Sequence, residues 1–331
     1  MSILTPGWCV AILVVILAVI GIEDGLDRPG SGRQDRQILG QSERPIRKVA
    51  FTPDETEVAA LEVNGRLTFW EAEGGGSWTS IGDDGLHIWS FAFDPEGDTV
   101  ALGALDGSIR FKDLRTGQDC GRITLDREIV QVLAFSPDGR HIASGHENGR
   151  LTVWEVGTGV LLLDLDAHRS SVTALAFSPN RRWLASAGAD GRVNLWDAET
   201  GVLVASTSCK PGRLTPLVFS ADSMSLSWAS LYGRAVQRWD LGPGGGVRTA
   251  RCPVEEMVPT ANGRSLLVRV DQERVWQLDA ETLRIERRHR FPGRILSAMA
   301  VSNDGTHLAL GGLRTVEMHH LESLSGRATT E

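Results

Sequence analysis

Short segments in which apolar and polar residues alternate recur along the chain, and residues 172–206 show the pattern most clearly. Four segments there, Val172–Phe177, Trp183–Ala187, Arg192–Trp196 and Val202–Ser206, are five or six residues long. Alternation with a period of two is typical of β-strands that bury one face. The pattern therefore predicts four successive strands in this part of the chain.

The residues between these strands favour tight turns. Pro179 fixes the backbone of one turn, and Asp190-Gly191 is typical of a two-residue hairpin. Three similar dipeptides occupy the same hairpin position earlier in the chain, namely Asn64-Gly65, Asp106-Gly107 and Asn148-Gly149. Because short turns join neighbouring antiparallel strands, each group of four strands is predicted to form one antiparallel sheet.

The strand pattern returns with a nearly constant period. The last residue of the first strand in each unit falls at positions 51, 93, 135, 177, 219, 259 and 301. The steps between these positions are 42, 42, 42, 42, 40 and 42 residues. A constant period of this size indicates one supersecondary unit repeated in series, here seven times.

A four-stranded sheet of this kind has two apolar faces, and stacking seven copies around an axis buries both. The sequence therefore predicts an all-β fold, a seven-bladed β-propeller of four-stranded antiparallel blades over residues 35–321, with a polar tail over residues 322–331. Repeat seven shows no fourth strand after His320. We therefore expect residues 35–41 to supply the outer strand of blade seven and to remove an unpaired sheet edge.

Tryptophan follows the same register. Five of the ten tryptophans end a predicted third strand, namely Trp70, Trp154, Trp196, Trp239 and Trp276. Large aromatic side chains at one repeated position are interpreted as core between the blades.

The fourth repeat carries Asp190-Gly191 before its third strand, Trp196-Asp197 at the end of that strand, and His168 some 28 residues before it. These residues resemble the WD-repeat β-propeller family, over about residues 35–321. In that family a His, a Ser or Thr, an Asp and the Trp form a hydrogen-bonded network across each blade. The resemblance implies a structural network of His168, Ser186, Asp190 and Trp196. The fourth repeat alone offers the whole set, since other repeats have Ser42, Asp84, Asp126 and Lys210 at the His position.

The resemblance also implies a protein-binding function, because the family generally holds partner peptides on one face of the ring. The loops after strand four and between strands two and three gather on that face. The register places the following residues near its rim: Arg47, Trp89, Gln131, Thr173, Thr215, Glu255 and Ser297 on first strands, and Val63, Leu105, Glu147, Ala189, Leu231 and Val270 at hairpins.

One part of this rim predicts an amphipathic patch. Trp89 lies outside the register of the structural tryptophans. With Arg47, Val63, His87 and Leu105 it would form a surface of the kind that dominates protein interfaces. The alternative is that Trp89 packs beneath its own loop.

The N-terminal residues have a different composition. Trp8–Ile22 is an uncharged apolar run, which predicts that residues 1–22 form a transmembrane helix, followed by a flexible linker over residues 23–34. The rival is a cleaved signal peptide, although no basic residue precedes the run. Arg28, Arg33 and Arg36 follow it, which favours a membrane-anchored, single-pass protein with the propeller on the cytoplasmic side.

Composition and motifs narrow the function further. The net charge of −8 makes nucleic acid an unlikely partner. The four cysteines have neither disulfide nor zinc spacing, and the chain has no Gly-x-Ser-x-Gly or His-Glu-x-x-His motif. His319-His320 with Glu322 would be a poor metal site, because adjacent residues of a strand point to opposite faces.

These observations predict a non-catalytic protein-interaction scaffold without cofactor or metal, formed by a monomeric propeller that binds proteins or peptides. Two alternatives stay open. One is an exported propeller with a ligand-binding or enzymatic role after signal cleavage, and the other is a structural subunit whose rings pack on each other.

Overall fold

The structure is a computed structural model that describes residues 36–73, 77–81, 87–125, 128–212 and 214–321. The regular elements of these residues are 28 strands in seven four-stranded antiparallel sheets, which are the seven blades of a β-propeller. Before blade one comes β1 (Arg36–Gln41). The strands of blades one to three are β2 (Ile46–Phe51), β3 (Glu57–Glu62), β4 (Leu67–Glu71), β5 (Ser77–Ile81), β6 (Ile88–Phe93), β7 (Thr99–Ala104), β8 (Ser108–Asp113), β9 (Asp119–Thr124), β10 (Val130–Phe135), β11 (His141–His146), β12 (Arg150–Glu155) and β13 (Leu161–Asp166).

The remaining blades follow the same order. Blades four to six contain β14 (Val172–Phe177), β15 (Trp183–Gly188), β16 (Arg192–Asp197), β17 (Leu203–Ser208), β18 (Leu214–Phe219), β19 (Ser225–Ser230), β20 (Ala235–Asp240), β21 (Val247–Arg251), β22 (Glu256–Pro259), β23 (Ser265–Arg269), β24 (Arg274–Asp279) and β25 (Ile285–Arg290). Blade seven contains β26 (Ala298–Val301), β27 (His307–Gly311), β28 (Thr315–His320) and β1.

The first strands of the blades form the inner ring of the molecule. From β6 to β26 each of them contacts the first strand of the next blade, and β26 of blade seven contacts β2 of blade one. Lys48 of β2 completes the ring with a side-chain hydrogen bond to the carbonyl of Phe91 in β6. The fourth strands therefore lie at the outer edge, where their side chains are mostly exposed, as in β13 and β17. This arrangement places the turns between strands on the two faces of the ring.

Blade seven is completed by the N-terminal strand. β1 pairs antiparallel with β28, with Arg36 opposite His319 and Gln41 opposite Thr315. Gly40 of β1 lies so close to blade one that a Cβ atom there would be 2.0 Å from Nε1 of Trp70. The absent side chain allows the indole of blade one to pack against the outer strand of blade seven.

The hydrophobic core lies between the blades. Seven clusters of buried apolar residues occur in the described part of the chain, and each draws side chains from two neighbouring blades. Trp70, Trp154 and Trp196 are buried in these clusters, whereas Trp239 and Trp276 are half-buried against them. The third-strand tryptophans thus have a packing role.

Three segments that the sequence predicts lie outside the residues that the structure describes. They are the expected membrane helix over residues 1–22, the linker over residues 23–34 and the tail over residues 322–331. In the part of the chain that is described, no helix has the length and apolar character needed to cross a membrane.

Candidate protein-binding face

A β-bulge near the start of the first strand in blades one to four sets the geometry of the inner rim there. The ladder register shifts across Arg47 in blade one, across Trp89 in blade two, across Gln131 in blade three and across Thr173 in blade four. A bulged residue leaves the ladder and its side chain is redirected. The four redirected side chains follow one another around the ring.

Three of these side chains contact one another across blades. The guanidinium carbon of Arg47 lies 3.5 Å from the ring centroid of Trp89, which is a cation–π contact. The indole Nε1 of Trp89 donates a 2.7 Å hydrogen bond to Oε1 of Gln131. All three side chains are half-buried. The indole is therefore held by side chains of both neighbouring blades.

Val63, His87 and Leu105 lie on adjacent turns above this row. The amide of Leu105 donates a 3.1 Å hydrogen bond to the carbonyl of His87. The turn that carries Val63 also lies against this connection, since a Cβ atom on Gly65 would be 3.1 Å from Cα of His87. Val63 is 53% exposed and Leu105 is 37% exposed. We call Arg47, Val63, His87, Trp89 and Leu105 the blade one–two patch.

The other predicted rim residues have varied environments. Glu147 is exposed, Ala189 and Leu231 are half-buried, and the side chain of Thr215 lies outside the described residues. Glu255 forms an ion pair with Arg269. The hydroxyl of Ser297 donates to the carbonyl of Gly311 at 3.1 Å.

Val270 does not belong to the exposed rim. Its side chain is buried in the core between blades five and six, beside Cys252 and Val254. The first strand of blade six has only four residues, and the repeat leading to it is 40 residues long. The turn consequently begins at Asp271, one residue later than the alignment predicts.

The structure exposes three large apolar side chains near this face that the sequence analysis missed. Tyr232 is 73% exposed in the hairpin of blade five, and Leu313 occupies the hairpin of blade seven. Ile295 lies between blades six and seven. Blades five and seven lack the Asx-Gly dipeptide at these hairpins, so the register pointed to Leu231 in blade five but did not single out Tyr232 or Leu313.

Lys48 lies inside the ring, next to the bulge of blade one. Its Nζ donates a 2.9 Å hydrogen bond to the carbonyl of Phe91 and lies 4.6 Å from the ring of that residue. Lys48 as a whole is an exposed residue, so water reaches its side chain. Enclosure by the surrounding strands lowers the pKa of Lys48 to about 8, and the carboxylate of Glu256 acts in the opposite direction.

Blade four contains a chain of hydrogen bonds centred on His168. Its Nδ1 lies 3.2 Å from Oδ1 of Asp190, and its Nε2 lies 2.8 Å from the hydroxyl of Ser186. The indole of Trp196 donates to the same hydroxyl at 2.9 Å. A proton on Nδ1 allows His168 to donate a hydrogen bond to the carboxylate of Asp190, and Nε2 then accepts a hydrogen bond from the hydroxyl of Ser186. Burial lowers the pKa of His168, and Asp190 partly opposes that shift.

Blade three has a second histidine network, so blade four is not unique in this respect. Nε2 of His146 lies 3.2 Å from the hydroxyls of both Ser144 and Thr152. The indole of Trp154 donates to Thr152 at 2.8 Å. Alignment of the repeats did not reveal this network, because His146 lies on the second strand of its blade, whereas His168 lies before the first strand of its blade.

The imidazole occupies the same place in blades three and four although it comes from different backbone positions, and a glycine in blade four makes this possible. His146 faces Val130 across the ladder, and Gly188 faces Val172 in the same way in blade four. A Cβ atom on Gly188 would lie 2.5 Å from Nδ1 of His168. Blade four therefore leaves space for a ring arriving from outside the sheet, whereas blade three fills that space from the sheet itself.

The C-terminal histidines are engaged in packing. His319 contacts the ring of Phe291 with centroids 5.3 Å apart, and His320 contacts His307 at 5.1 Å. Glu322 lies outside the described residues. Where side chains are described, no group of three or more His, Cys, Asp or Glu side chains is arranged to hold a metal ion.

Comparison with known families agrees with this geometry. The model of the WD40 family, described as "WD domain, G-beta repeat", matches residues 79–113, 124–155 and 159–197. These matches correspond to blades two, three and four. A search of curated proteins found no match to the chain. The chain is thus a seven-bladed β-propeller with WD40 repeats at three positions, a fold that generally serves as a scaffold for protein–protein interactions.

Proposed function

We propose that this protein is a non-catalytic, monomeric platform that holds a partner protein or peptide on the blade one–two patch. The observation that supports this most is the pre-positioned Trp89, fixed by Arg47 on one side and Gln131 on the other. A side chain fixed before binding loses little conformational entropy when the partner arrives.

The chemistry of the patch suits an apolar anchor on the partner. Trp and Arg are enriched among the residues that dominate binding energy. Val63 and Leu105 flank them with exposed aliphatic surface. A partner that places an aliphatic or aromatic side chain between the two hairpins would bury this surface and contact the edge of the indole.

The test replaces the exposed aliphatics and keeps the folded ring intact. In V63D/L105D both changes lie on exposed hairpins, so the melting temperature should stay within a few degrees. A matched control is V202D/V204D on the outer edge of blade four, where both residues are also exposed. Affinity purification from the native host should lose partners with V63D/L105D but not with the control. Equal recovery with all three proteins would refute the patch.

We further propose that residues 1–22 anchor the protein in a membrane, with the propeller on the cytoplasmic side. The uncharged run Trp8–Ile22 and the arginines that follow it support this proposal. Alkaline carbonate extraction should leave the full chain in the membrane fraction, and protease added to the outer side of the sealed membrane should not cleave it. A soluble product that begins near Gly21 would show an exported protein instead.

A further inference from the structure

The outer strand of blade six carries an unusual concentration of arginine. Residues 284–290 contain Arg284, Arg287, Arg288 and Arg290, and all four side chains are exposed. The other six outer strands provide an internal comparison, since they hold at most two arginines each. The strand stands out because the whole chain has a net charge of −8.

Much of this charge is available to a partner. The side chains of Arg284 and Arg287 form no ion pair or hydrogen bond with a described residue. Arg288 lies over Trp276 at 5.3 Å, and Arg290 is 72% exposed in a 3.5 Å ion pair with Glu273. Exposed pairs of that geometry contribute little, so an incoming carboxylate can replace Glu273.

The backbone of the same strand is also available. β25 pairs with β24 on one side and has no strand on its other side among the described residues. An edge strand presents a row of free N–H and C=O groups that can pair with an added strand. Arg288 and Arg290 point to one face of the sheet and Arg287 points to the other, since they lie opposite Trp276, Arg274 and Gln277.

Together these features give a ladder edge flanked by guanidinium groups. We propose that β25 binds an extended acidic segment of a protein partner, which adds as a fifth strand to blade six. Carboxylates at alternate positions of the added strand would lie opposite Arg288 and Arg290, or opposite Arg287 when they face the other side of the sheet, at the usual spacing of cross-strand pairs. This site is separate from the blade one–two patch and does not depend on it.

The surroundings favour a peptide over a polyphosphate or a lipid surface. A cleft of about 1100 Å³ at the end of β25 is lined by Arg274, Arg288 and Arg290 but also by Glu255 and Asp271. Because Glu255 pairs with Arg269 and Asp271 pairs with Arg274, the cleft has less net positive charge than a dense array of phosphates would need. Spaced carboxylates on an extended peptide avoid Glu255 and Asp271, and the peptide backbone also uses the free ladder groups.

The experiment measures fluorescence anisotropy of labelled peptides with the full-length protein in detergent at low salt. A Thr-Glu repeat supplies both carboxylates and ladder donors, and a Thr-Lys repeat reverses the charge. A Pro-Glu repeat keeps the charge but lacks the backbone N–H at every second residue and has its backbone fixed at each proline, so it forms a β-ladder poorly. We expect the Thr-Glu peptide to bind, the Thr-Lys peptide not to bind, and the Pro-Glu peptide to bind about tenfold or more weakly.

Variants identify the surface. R287E/R288E should weaken binding of the Thr-Glu peptide at least about tenfold, and R287Q/R288Q should weaken it less. The matched control R115E/R122E makes the same change in net charge on exposed residues of blade two. Absence of binding by the wild type, equal loss in the control, or equal binding of the Pro-Glu peptide would each overturn the proposal. Binding to phosphatidylserine vesicles or an oligonucleotide that is lost in R287E/R288E, without peptide binding, would overturn it as well.

Discussion

The hydroxyl of Ser186 joins two buried groups, so its removal tests the histidine network of blade four most directly. In Ser186→Ala the indole N–H of Trp196 and Nε2 of His168 both lose their partner. Ser186 is fully buried, so water does not replace the hydroxyl without local opening. Each of these two unpaired buried groups costs about 1–3 kcal/mol, which gives a loss of about 2–6 kcal/mol.

This loss converts into a measurable melting shift. An entropy of unfolding of about 2.1 cal/mol/K per residue gives about 0.6 kcal/mol/K for a ring of this size. The melting temperature should therefore fall by about 3–10 °C, measured by circular dichroism or calorimetry. Ser170→Ala makes the same chemical change at an exposed position of the same blade, and it should leave the melting temperature unchanged.

A double-mutant cycle separates the hydrogen bonds from the loss of packing. Trp196→Phe removes the indole N–H, so adding Ser186→Ala should cost less than it does in the wild type. The coupling between the two changes is expected to be about 0.5–3 kcal/mol. A melting temperature for Ser186→Ala within about 1 °C of the wild type would refute the reasoning.

Three further predictions concern pH and ring closure. Burial lowers the pKa of both His146 and His168, so these side chains take up protons when the protein unfolds in acid. Their contribution to stability should therefore be complete above about pH 6.5 and decrease below it. In H146Q/H168Q the melting temperature should change less between about pH 8 and pH 5 than it does in the wild type. Deletion of residues 36–41 leaves the outer edge of β28 unpaired, so the domain should melt at a much lower temperature and aggregate, and melting like the parent would contradict the role of β1 in closing the ring. Gly40→Val places a side chain against Trp70 and should cost about 1–3 kcal/mol in chemical denaturation, whereas Gly157→Val meets open space and should cost less.

The spacing of apolar residues was sufficient to predict the blades. A strand with a buried face must alternate, a tight hairpin needs residues such as Asp190-Gly191, and both signals recur with one period. The number of repeats and the seven-bladed ring followed from that period, and the structure confirms them. Local rules and the need to bury both faces of each sheet act together here.

Side-chain arrangements were less accessible to sequence. The network around His146 escaped notice because an imidazole can reach one site from two backbone positions, and register alignment compares only one. The contacts of Trp89 depend on bulges at Arg47, Trp89 and Gln131, which no residue type announces. Tyr232 was missed because its hairpin lacks the dipeptide that marked the earlier ones.

The pairing of β1 with β28 also has a consequence for biosynthesis. Arg36 is paired with His319, so 283 positions separate the two partners along the chain. β1 is the first described strand to be synthesised, and it can pair only after β28, the last described strand, has been made. The blades between them can form earlier from contacts that are local in sequence. A chain truncated before β28 would leave the ring open, with β1 and β27 each presenting an unpaired edge that can aggregate. The ring can therefore close only after translation has passed β28.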